Sequence, residues 1–374
     1  MYIYIYIQIY VSIYVYLFIY LFMYLYIYSD DIKTFRCRLG GTFHMRPCVL
    51  NQYPQNMTKF SHLKKVVVGY DEPDSTYILQ MFNDLARSNS SLIMMGDSVL
   101  QQLLYGVSCE AEREHMLPYN IGIRRHYEHM PVSIVKRNIT MKINIPILFE
   151  TVNRYNNENH AKSSKFLELH KDTIENHMVV LNAGLWYNTV NDEMQDPDIG
   201  MNATLDRYGY SYQQWYIDEM ISFLKSFDEF AIQYPKKTFS IVYISTTAQH
   251  YNSSNGYFHK NYSYIDNNHT TAGGKCFAYN SLKNSQNPAA DWRNALMYAH
   301  VLPSDTMKTL RSRNNTQFSI IDMHTLTKPL HDIHPIQGGT GDCTHYCYTP
   351  MLYQPIYHEL SMISSRLPDS TYRE

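Results

Sequence analysis

Short apolar runs alternate with amphipathic segments through the middle and the end of the chain. Continuous apolar runs predict strands buried on both faces, since such strands need no polar positions. They lie at 92–95, 178–181, 239–244 and 318–321. Apolar positions at helical spacing predict helices around these runs, at 75–87, 98–107, 212–232 and 351–364. Strands that alternate with helices are typical of a short parallel sheet covered on both faces, so we predict an α/β fold.

Polar segments rich in Asn, Ser, Tyr and His separate several of these elements. They lie at 152–176, 186–210 and 250–290. Long loops in compact domains are usually functional, so we predict that these segments are loop insertions that shape a cleft. One domain over 61–366 contains all the predicted elements and is followed by a short tail at 367–374.

The first 28 residues have a composition unlike the rest of the chain. They carry no charged side chain and consist mostly of Tyr, Ile, Leu, Val and Phe, and as a helix they could span a bilayer. However, the Tyr-Ile alternation at 2–7 has the period of a strand, and basic residues follow the segment rather than precede it. Two interpretations of residues 1–28 therefore stay open, a membrane or signal anchor and a low-complexity extension, with a stem or linker at 29–60.

Charge and cysteine content narrow the partners and the compartment. The 374 residues have a formal net charge of −2 and no basic stripe, which argues against nucleic acid as a partner. Six cysteines allow complete pairing into disulfides, and Asn-x-Ser/Thr sequons recur along the chain. Both features favour the lumen of the secretory pathway over the cytosol.

A serine and a histidine are the strongest candidates for chemistry. Ser98 follows the apolar run 92–95 and opens a predicted helix, where its own N–H could face a developing oxyanion. Asp342 precedes His345 by three residues, a spacing that lets the carboxylate reach the imidazole and fix its tautomer. These residues supply a nucleophile, a general base and an orienting acid. The alternative is that Asp97 or Ser98 is simply the N-cap of its helix and that Asp342 caps the last helix.

Two further candidates are less certain in role. Asn182 follows the run 178–181, and its side-chain amide could be a second oxyanion donor or could end the strand in an Asx turn. His331, His334 and His345 lack the clustering of a metal site, so we predict no metal and no cofactor.

Four blocks of sequence carry a family resemblance. Gly-Asp-Ser at 96–98 is similar to the first block of the SGNH (GDSL-type) hydrolases, and 245–250 resembles a Ser-Pro-Gln-His type segment of related esterase-like proteins. The segment 181–187 resembles Phe-Asn-Thr-Gly-His-Trp-Trp, and the C-terminal run joins Asp-Ile-His-Pro at 332–335 to Asp-Cys-Thr-His-Tyr-Cys at 342–347. Together the blocks resemble the PC-esterase family, which includes the plant trichome birefringence-like polysaccharide O-acetyltransferases. Tyr346 stands where that family usually has tryptophan.

The resemblance implies a fold, an activity and a compartment. The fold is a three-layer α/β/α arrangement of the SGNH-hydrolase type, and the activity is that of a serine acyl esterase or O-acetyltransferase acting on acetylated glycans. The protein would act in the Golgi lumen or be secreted, and residues 1–28 could anchor it as a type II membrane protein. Disulfides from Cys343 or Cys347, for example to Cys109 or Cys276, would hold the loop that carries His345. The alternative is a non-catalytic glycan-binding protein of the same fold, in which Ser98 and His345 do not converge.

Overall fold

The computed structural model describes most of the predicted domain. The described residues are 76–113, 130–136, 139–152, 155–185, 212–250, 292–330, 334, 336–337, 340–341, 343–346 and 350–370. The apolar segment 1–28, for which an anchor and a low-complexity extension were both open, and the predicted stem at 29–60 lie outside them. The polar segment 186–210 and almost all of 250–290 also lie outside. Within the described ranges, no helix has both the length and the apolarity needed to cross a bilayer.

Five parallel strands form the central sheet. The strands of the described chain are β1 Ser90–Gly96, β2 Met130–Lys136, β3 Ile139–Ile145, β4 Ile147–Thr151, β5 Asn176–Asn182, β6 Thr238–Ile244, β7 Thr316–Ile321, β8 Ile336–Gln337 and β9 Thr340–Gly341. The sheet order is β4-β1-β5-β6-β7, with every neighbouring pair parallel. Two antiparallel ribbons, β2 with β3 and β8 with β9, lie outside this sheet.

Helices cover both faces of the sheet. The α-helices of the described chain are α1 Thr76–Arg87, α2 Ser98–Arg113, α3 Asn157–Leu169, α4 Tyr212–Gln233, α5 Trp292–Leu296, α6 Asp305–Ser312, α7 Met323–Thr327 and α8 Pro350–Ser364, and a π-helix, Met297–Val301, follows α5 directly. Alternate residues of β1 enter two separate cores. Leu92 and Met94 pack with α1, α2 and α8, whereas Ile93 and Met95 pack with α3, α4 and α6. This three-layer arrangement follows from strands whose residues are apolar on both faces.

The predicted α/β class is confirmed, and one predicted loop is wrong. The four apolar runs lie in β1, β5, β6 and β7, and the four predicted helices correspond to α1, α2, α4 and α8. The polar segment 152–176, however, contains α3. Its polar residues Asn159 and Ser163 are buried together with Phe166 and Leu167, so the helix has no continuous apolar stripe that a pattern could detect.

The order of the strands fixes where a ligand can bind. β4 lies on one side of β1 and β5 on the other, so the direction in which the chain adds strands reverses between β1 and β5. In open parallel sheets the crevice at the carboxyl ends of such a strand pair is the usual binding site. Gly96 of β1 and Asn182 of β5 are paired in register at that end, and the segments that follow them line the crevice.

Candidate active site

Ser98 and His345 meet in the crevice beyond β1. Ser98 is the first residue of α2, and its Oγ lies 2.6 Å from Nε2 of His345, although 247 positions separate the two residues along the chain. Ser98 is buried and His345 is half-buried. The geometry fits a hydroxyl that donates its proton to an imidazole. Asp342 lies outside the described residues, and its orienting role stays a prediction.

The tight turn between β1 and α2 places Ser98 at the helix N-terminus. Asp97 is the N-cap, because its carbonyl accepts the first helical hydrogen bond, from the N–H of Gln101 at 3.0 Å. The Asp97 N–H donates to the carbonyl oxygen of Asn182 at 3.1 Å. A Cβ on Gly96 would lie 2.3 Å from that same oxygen, so only glycine allows this close approach. Ser98 follows as the first helical residue, and its N–H has no acceptor within its own helix.

The Asp97 carboxylate connects the two sides of the crevice. Oδ1 accepts from the N–H of Val99 at 3.0 Å, and Oδ2 accepts from the N–H of Leu185, beyond β5, at 3.1 Å. Burial raises the pKa of Asp97, while the two N–H groups and the charges of Arg293 and His345 act in the opposite direction. The sequence suggested Asp97 only as a helix cap, since the contact with Leu185 depends on strand pairing.

A buried arginine lies beneath the loop that follows β5. The guanidinium of Arg293 donates to the carbonyl oxygen of Gly184 at 3.4 Å, and its side chain is fully buried. Gly184 has a φ of +150°, and a Cβ there would lie 2.8 Å from Cδ of Arg293. Glycine is therefore required both by the backbone conformation and by the arginine. Sequence reasoning missed Arg293, because 109 positions separate it from Gly184 and no local pattern connects the two.

Gln102 holds the loop that carries His345. Its Nε2 donates to the carbonyl oxygen of Tyr346 at 2.9 Å, and its Oε1 accepts from the N–H of Tyr346 at 3.3 Å. Gln102 lies four positions after Ser98, on the same face of α2. One helix therefore presents the hydroxyl and fixes the backbone next to the imidazole. Sequence reasoning missed Gln102, and the i, i+4 spacing from Ser98 is the signal that could have indicated it.

The segment after β6 holds the same loop from the other side. The N–H of His250 donates to the carbonyl oxygen of Cys343 at 3.0 Å, and Nε2 of Gln249 donates to Oγ1 of Thr344 at 2.9 Å. The hydroxyl of Tyr346 donates to the carbonyl oxygen of Ala248 at 2.6 Å. Each residue of the loop from 343 to 346 thus has a defined contact.

Cys343 is disulfide-bonded, which restrains the same loop. The side chains of the other disulfide candidates, Cys109, Cys276 and Cys347, lie outside the described part of the chain. The connectivity predicted for them therefore stays a prediction.

Two buried histidines lie behind His345. Nδ1 of His250 is 2.8 Å from Nε2 of His334, and Nδ1 of His334 is 2.6 Å from the carbonyl oxygen of His345. Nε2 of His250 is 2.9 Å from the carbonyl oxygen of Lys328. The sequence blocks 245–250 and 332–335, noted separately, are thus in contact. Sequence reasoning considered His334 only as a metal ligand and assigned no role to His250.

The structure gives Asn182 a different role from the one predicted. Its Nδ2 donates to the carbonyl oxygens of Ile244 and Ser245, at 2.9 and 3.3 Å. The amide is thus directed at the end of β6 rather than into the crevice, just beyond the last paired residues of the two strands, Leu181 and Tyr243. Asn182 therefore joins two strands and is not placed to stabilise an oxyanion.

Neither a metal site among the described residues nor a match to a known protein indicates what this crevice does. Among the residues that the structure describes, no group of three or more His, Cys, Asp or Glu side chains could hold a metal ion. No protein-family model matches the chain, and searches of curated proteins and of solved structures found no match either.

Proposed function

We propose that this protein is a serine-dependent acyl esterase or O-acetyltransferase of the SGNH type, acting on acetyl esters of glycans. The observation that carries the proposal is the 2.6 Å contact between Ser98 Oγ and His345 Nε2 at the N-terminus of α2. A non-catalytic glycan-binding protein would not need these two groups to converge, so the contact favours the enzyme. The choice of glycan as substrate rests on the resemblance of the sequence blocks to the PC-esterase family.

The proposed mechanism uses an acyl-enzyme on Ser98. His345 Nε2 takes the hydroxyl proton as Oγ attacks the acetyl carbonyl carbon, and the oxyanion forms near the N–H of Ser98. The C–O bond to the leaving alcohol then breaks, and His345 returns the proton to that alcohol. In the second half, water or a sugar hydroxyl gives its proton to His345 and attacks the acyl carbon. The bond from that carbon to Ser98 Oγ then breaks, and His345 returns the proton to Oγ, which regenerates Ser98. Water as the acceptor gives hydrolysis, and a sugar hydroxyl gives transfer.

The helix geometry supports oxyanion stabilisation without the Asn182 amide. The Ser98 N–H is at the first position of a 16-residue helix, where the helix dipole favours negative charge. Asp97 is one residue away but directs both carboxylate oxygens at backbone N–H groups, at 3.0 and 3.1 Å. These two hydrogen bonds offset the negative charge of Asp97 close to the position where the oxyanion would form.

The compartment is part of the same proposal. We infer that the chain works in the secretory pathway, in the Golgi lumen or after secretion, because Cys343 is disulfide-bonded in the loop next to His345. Disulfides persist in oxidising compartments and are rare in the cytosol.

Trapping the acyl-enzyme tests the function. The full chain is incubated with an activated acetyl ester such as p-nitrophenyl acetate, quenched in acid and digested for mass spectrometry. We expect acetyl on the peptide that contains Ser98, and a loss of turnover of at least about a thousandfold in Ser98→Ala and His345→Ala. Ser226→Ala, which removes a buried serine on α4, is the matched control and should keep wild-type turnover.

Two results would decide against parts of the proposal. Wild-type turnover in a folded Ser98→Ala variant would exclude Ser98 as the nucleophile. Analysis of products with and without added oligosaccharide separates the two activities, since a transferase places acetyl on the sugar and an esterase releases acetate in both cases.

A further inference from the structure

His250 and His334 form a buried pair whose hydrogen bonds define its protonation. Both rings are almost fully buried, at 0 % and 3 % exposure, and their facing nitrogens are 2.8 Å apart. Each ring has its other nitrogen against a backbone carbonyl oxygen. For His250 this is the oxygen of Lys328 at 2.9 Å, and for His334 that of His345 at 2.6 Å.

Counting donors shows that the pair needs three protons. A carbonyl oxygen can only accept, so Nε2 of His250 and Nδ1 of His334 must both carry hydrogen. A neutral imidazole carries one hydrogen, so two neutral rings would face each other with two lone pairs at 2.8 Å. Turning either ring by half a turn would place carbon atoms against both of its partners. We propose that His250 and His334 share one additional proton and, as a singly charged pair, hold the backbone of the His345 loop in place.

The surroundings suit a shared positive charge. The ring of Tyr346 lies against His334, with centroids 4.4 Å apart at an interplanar angle of 37°, and its centroid is 6.3 Å from that of His250. An aromatic face attracts an imidazolium, and the two carbonyl dipoles at the ends of the pair act in the same direction.

Other titratable groups face the pair from two directions. In the loop these are His345 and Tyr346, while Cys343 is in a disulfide and does not titrate. On the side of α7, Lys328 contacts the pair through its carbonyl oxygen, and Asp322 and His324 are the other titratable residues of this helix and its N-cap. The shared proton must therefore be assigned by direct observation of the ring nitrogens, because a bulk titration would combine it with these groups.

The pair joins two separate parts of the fold. One end is fixed at the turn after α7, and the other end reaches the residue that contacts Ser98. When the shared proton leaves, the central hydrogen bond becomes a repulsive contact and the connection opens. The loop is therefore held at pH values below this step and loosens above it. The proton count is independent of the proposed esterase activity, whereas any effect on turnover rests on that activity.

Nitrogen NMR of the full chain tests the proton count. With ¹⁵N-labelled histidine, we expect three protonated nitrogens among the four of this pair, and one coupled loss of a proton as the pH rises within about pH 5 to pH 9. We expect the His345 signals to shift in the same step. Finding only two protonated nitrogens while His345 and Ser98 remain in contact, at every pH in that range, would overturn the proposal.

Two substitutions at one position separate the shared proton from the fold. In His250→Asn the amide nitrogen takes the place of Nδ1 and can donate to a neutral His334, so the titration step should disappear while His334 still donates to His345. In His250→Gln the amide nitrogen takes the place of Nε2, so the bond to Lys328 is kept but His334 loses its donor. If the chain is an esterase, we expect kcat/KM near neutral pH to fall by about tenfold more in His250→Gln than in His250→Asn.

Melting temperatures identify a variant that fails to fold. In that case the spectra of the wild-type protein still test the proton count. A folded His250→Asn that retains the wild-type proton step would overturn the proposal, because the step would then belong to another group. Loss of the step in His250→Asn with no detectable esterase activity in any variant would support the shared proton and count against the proposed function alone.

Discussion

Asp97 contributes to the site through hydrogen bonds to two backbone N–H groups. Among the described residues, neither of these bonds involves Ser98 Oγ. Its carboxylate accepts from Val99 at the start of α2 and from Leu185 after β5, and so fixes the helix that presents Ser98 relative to the neighbouring strand. Burial raises the pKa of this carboxyl, and Arg293 provides a nearby positive charge. At the residue scale, Asp97 is thus a positioning group whose charge is compensated locally.

Replacing Asp97 by asparagine tests this positioning role. Asn keeps the shape but turns one acceptor into a donor, so the N–H of Val99 or of Leu185 loses its acceptor, and the attraction between this carboxylate and Arg293 is lost. The lost interactions cost more free energy than is gained by burying a neutral amide in place of a charged carboxylate. We therefore expect the free energy of unfolding to fall by about 2 kcal/mol. Urea unfolding measures this change, and kcat/KM on an acetyl ester should fall by at least about tenfold.

Asp305→Asn is the matched control, because Asp305 also lies at the N-terminus of a helix but its side chain is 96 % exposed. Its stability should change by less than about 0.5 kcal/mol. An Asp97→Asn variant with both the stability and the turnover of the wild type would show that the hydrogen bonds of this carboxylate do not hold the crevice together.

At the scale of elements, the hydrophobic pattern of the sequence predicted the strands that consist of apolar runs. It did not predict a strand such as β4, which contains a buried charged residue. β1, β5 and β6 contain apolar runs and are buried as predicted, whereas β7 is an edge strand in which Phe318, Ser319 and Ile320 are only half-buried, so its predicted burial on both faces is wrong. β4 contains Glu150, which is buried and accepts from Lys162 on α3 at 2.5 Å. The charges of Lys162 and Glu150 neutralise each other only after α3 has packed beside the strand. The hydrophobic pattern of the sequence therefore predicted neither β4 nor α3.

The N-terminus of α3 depends on a capping box. Oδ1 of Asn156 accepts from the N–H groups of Glu158 and Asn159, at 3.0 and 3.2 Å, and Oδ1 of Asn159 accepts from the N–H of Asn156. We expect Asn156→Ala to lower the free energy of unfolding by about 1 kcal/mol, since two backbone donors lose their acceptor. Turnover should stay at the wild-type level, because α3 packs on α4 and β4 and does not line the crevice.

Asn157→Ala is the control for this helix, since Asn157 is the next residue and is exposed. Chemical denaturation should find its stability within about 0.5 kcal/mol of the wild type. Equal losses in the two variants would mean that the cap contributes no more than helix propensity.

On the scale of the whole molecule, sequence motifs located the Ser98–His345 pair better than they identified the residues that hold it in place. Ser98 and His345 could be named because each follows a recognisable pattern near a strand end. Arg293 and the contact of His250 with His334 could not be inferred, because each joins segments that are distant in the sequence, and only the i, i+4 spacing from Ser98 pointed to Gln102. The Asn182 amide was misassigned for a related reason, since the two carbonyls that occupy it belong to β6 and its following residue.

The sheet itself carries a pH-dependent contribution to stability, through His177 in β5. This residue is buried, stacks on Phe239 with centroids 5.1 Å apart, and has Nδ1 at 2.7 Å from Oγ of Ser91. Burial, followed by the charges of Lys237 and His170, lowers the pKa of His177 from 6.5 to about 3. Between these values the unfolded chain binds more protons than the folded one, so the stability is fully present above pH 6.5 and is lost as the pH falls toward 3.

Substitution of His177 should therefore reduce the acid sensitivity of the fold. Urea unfolding at pH 7 and at pH 4.5 should give a loss of about 3 kcal/mol from this group in the wild type, and His177→Asn should remove that part of the loss even though its stability at neutral pH is lower. Ser91→Ala is the control, since it leaves His177 buried and should keep the acid-dependent loss. If His177→Asn lost as much stability as the wild type over the same interval, the acid sensitivity would belong to other groups, and burial of this histidine in the sheet would not explain it.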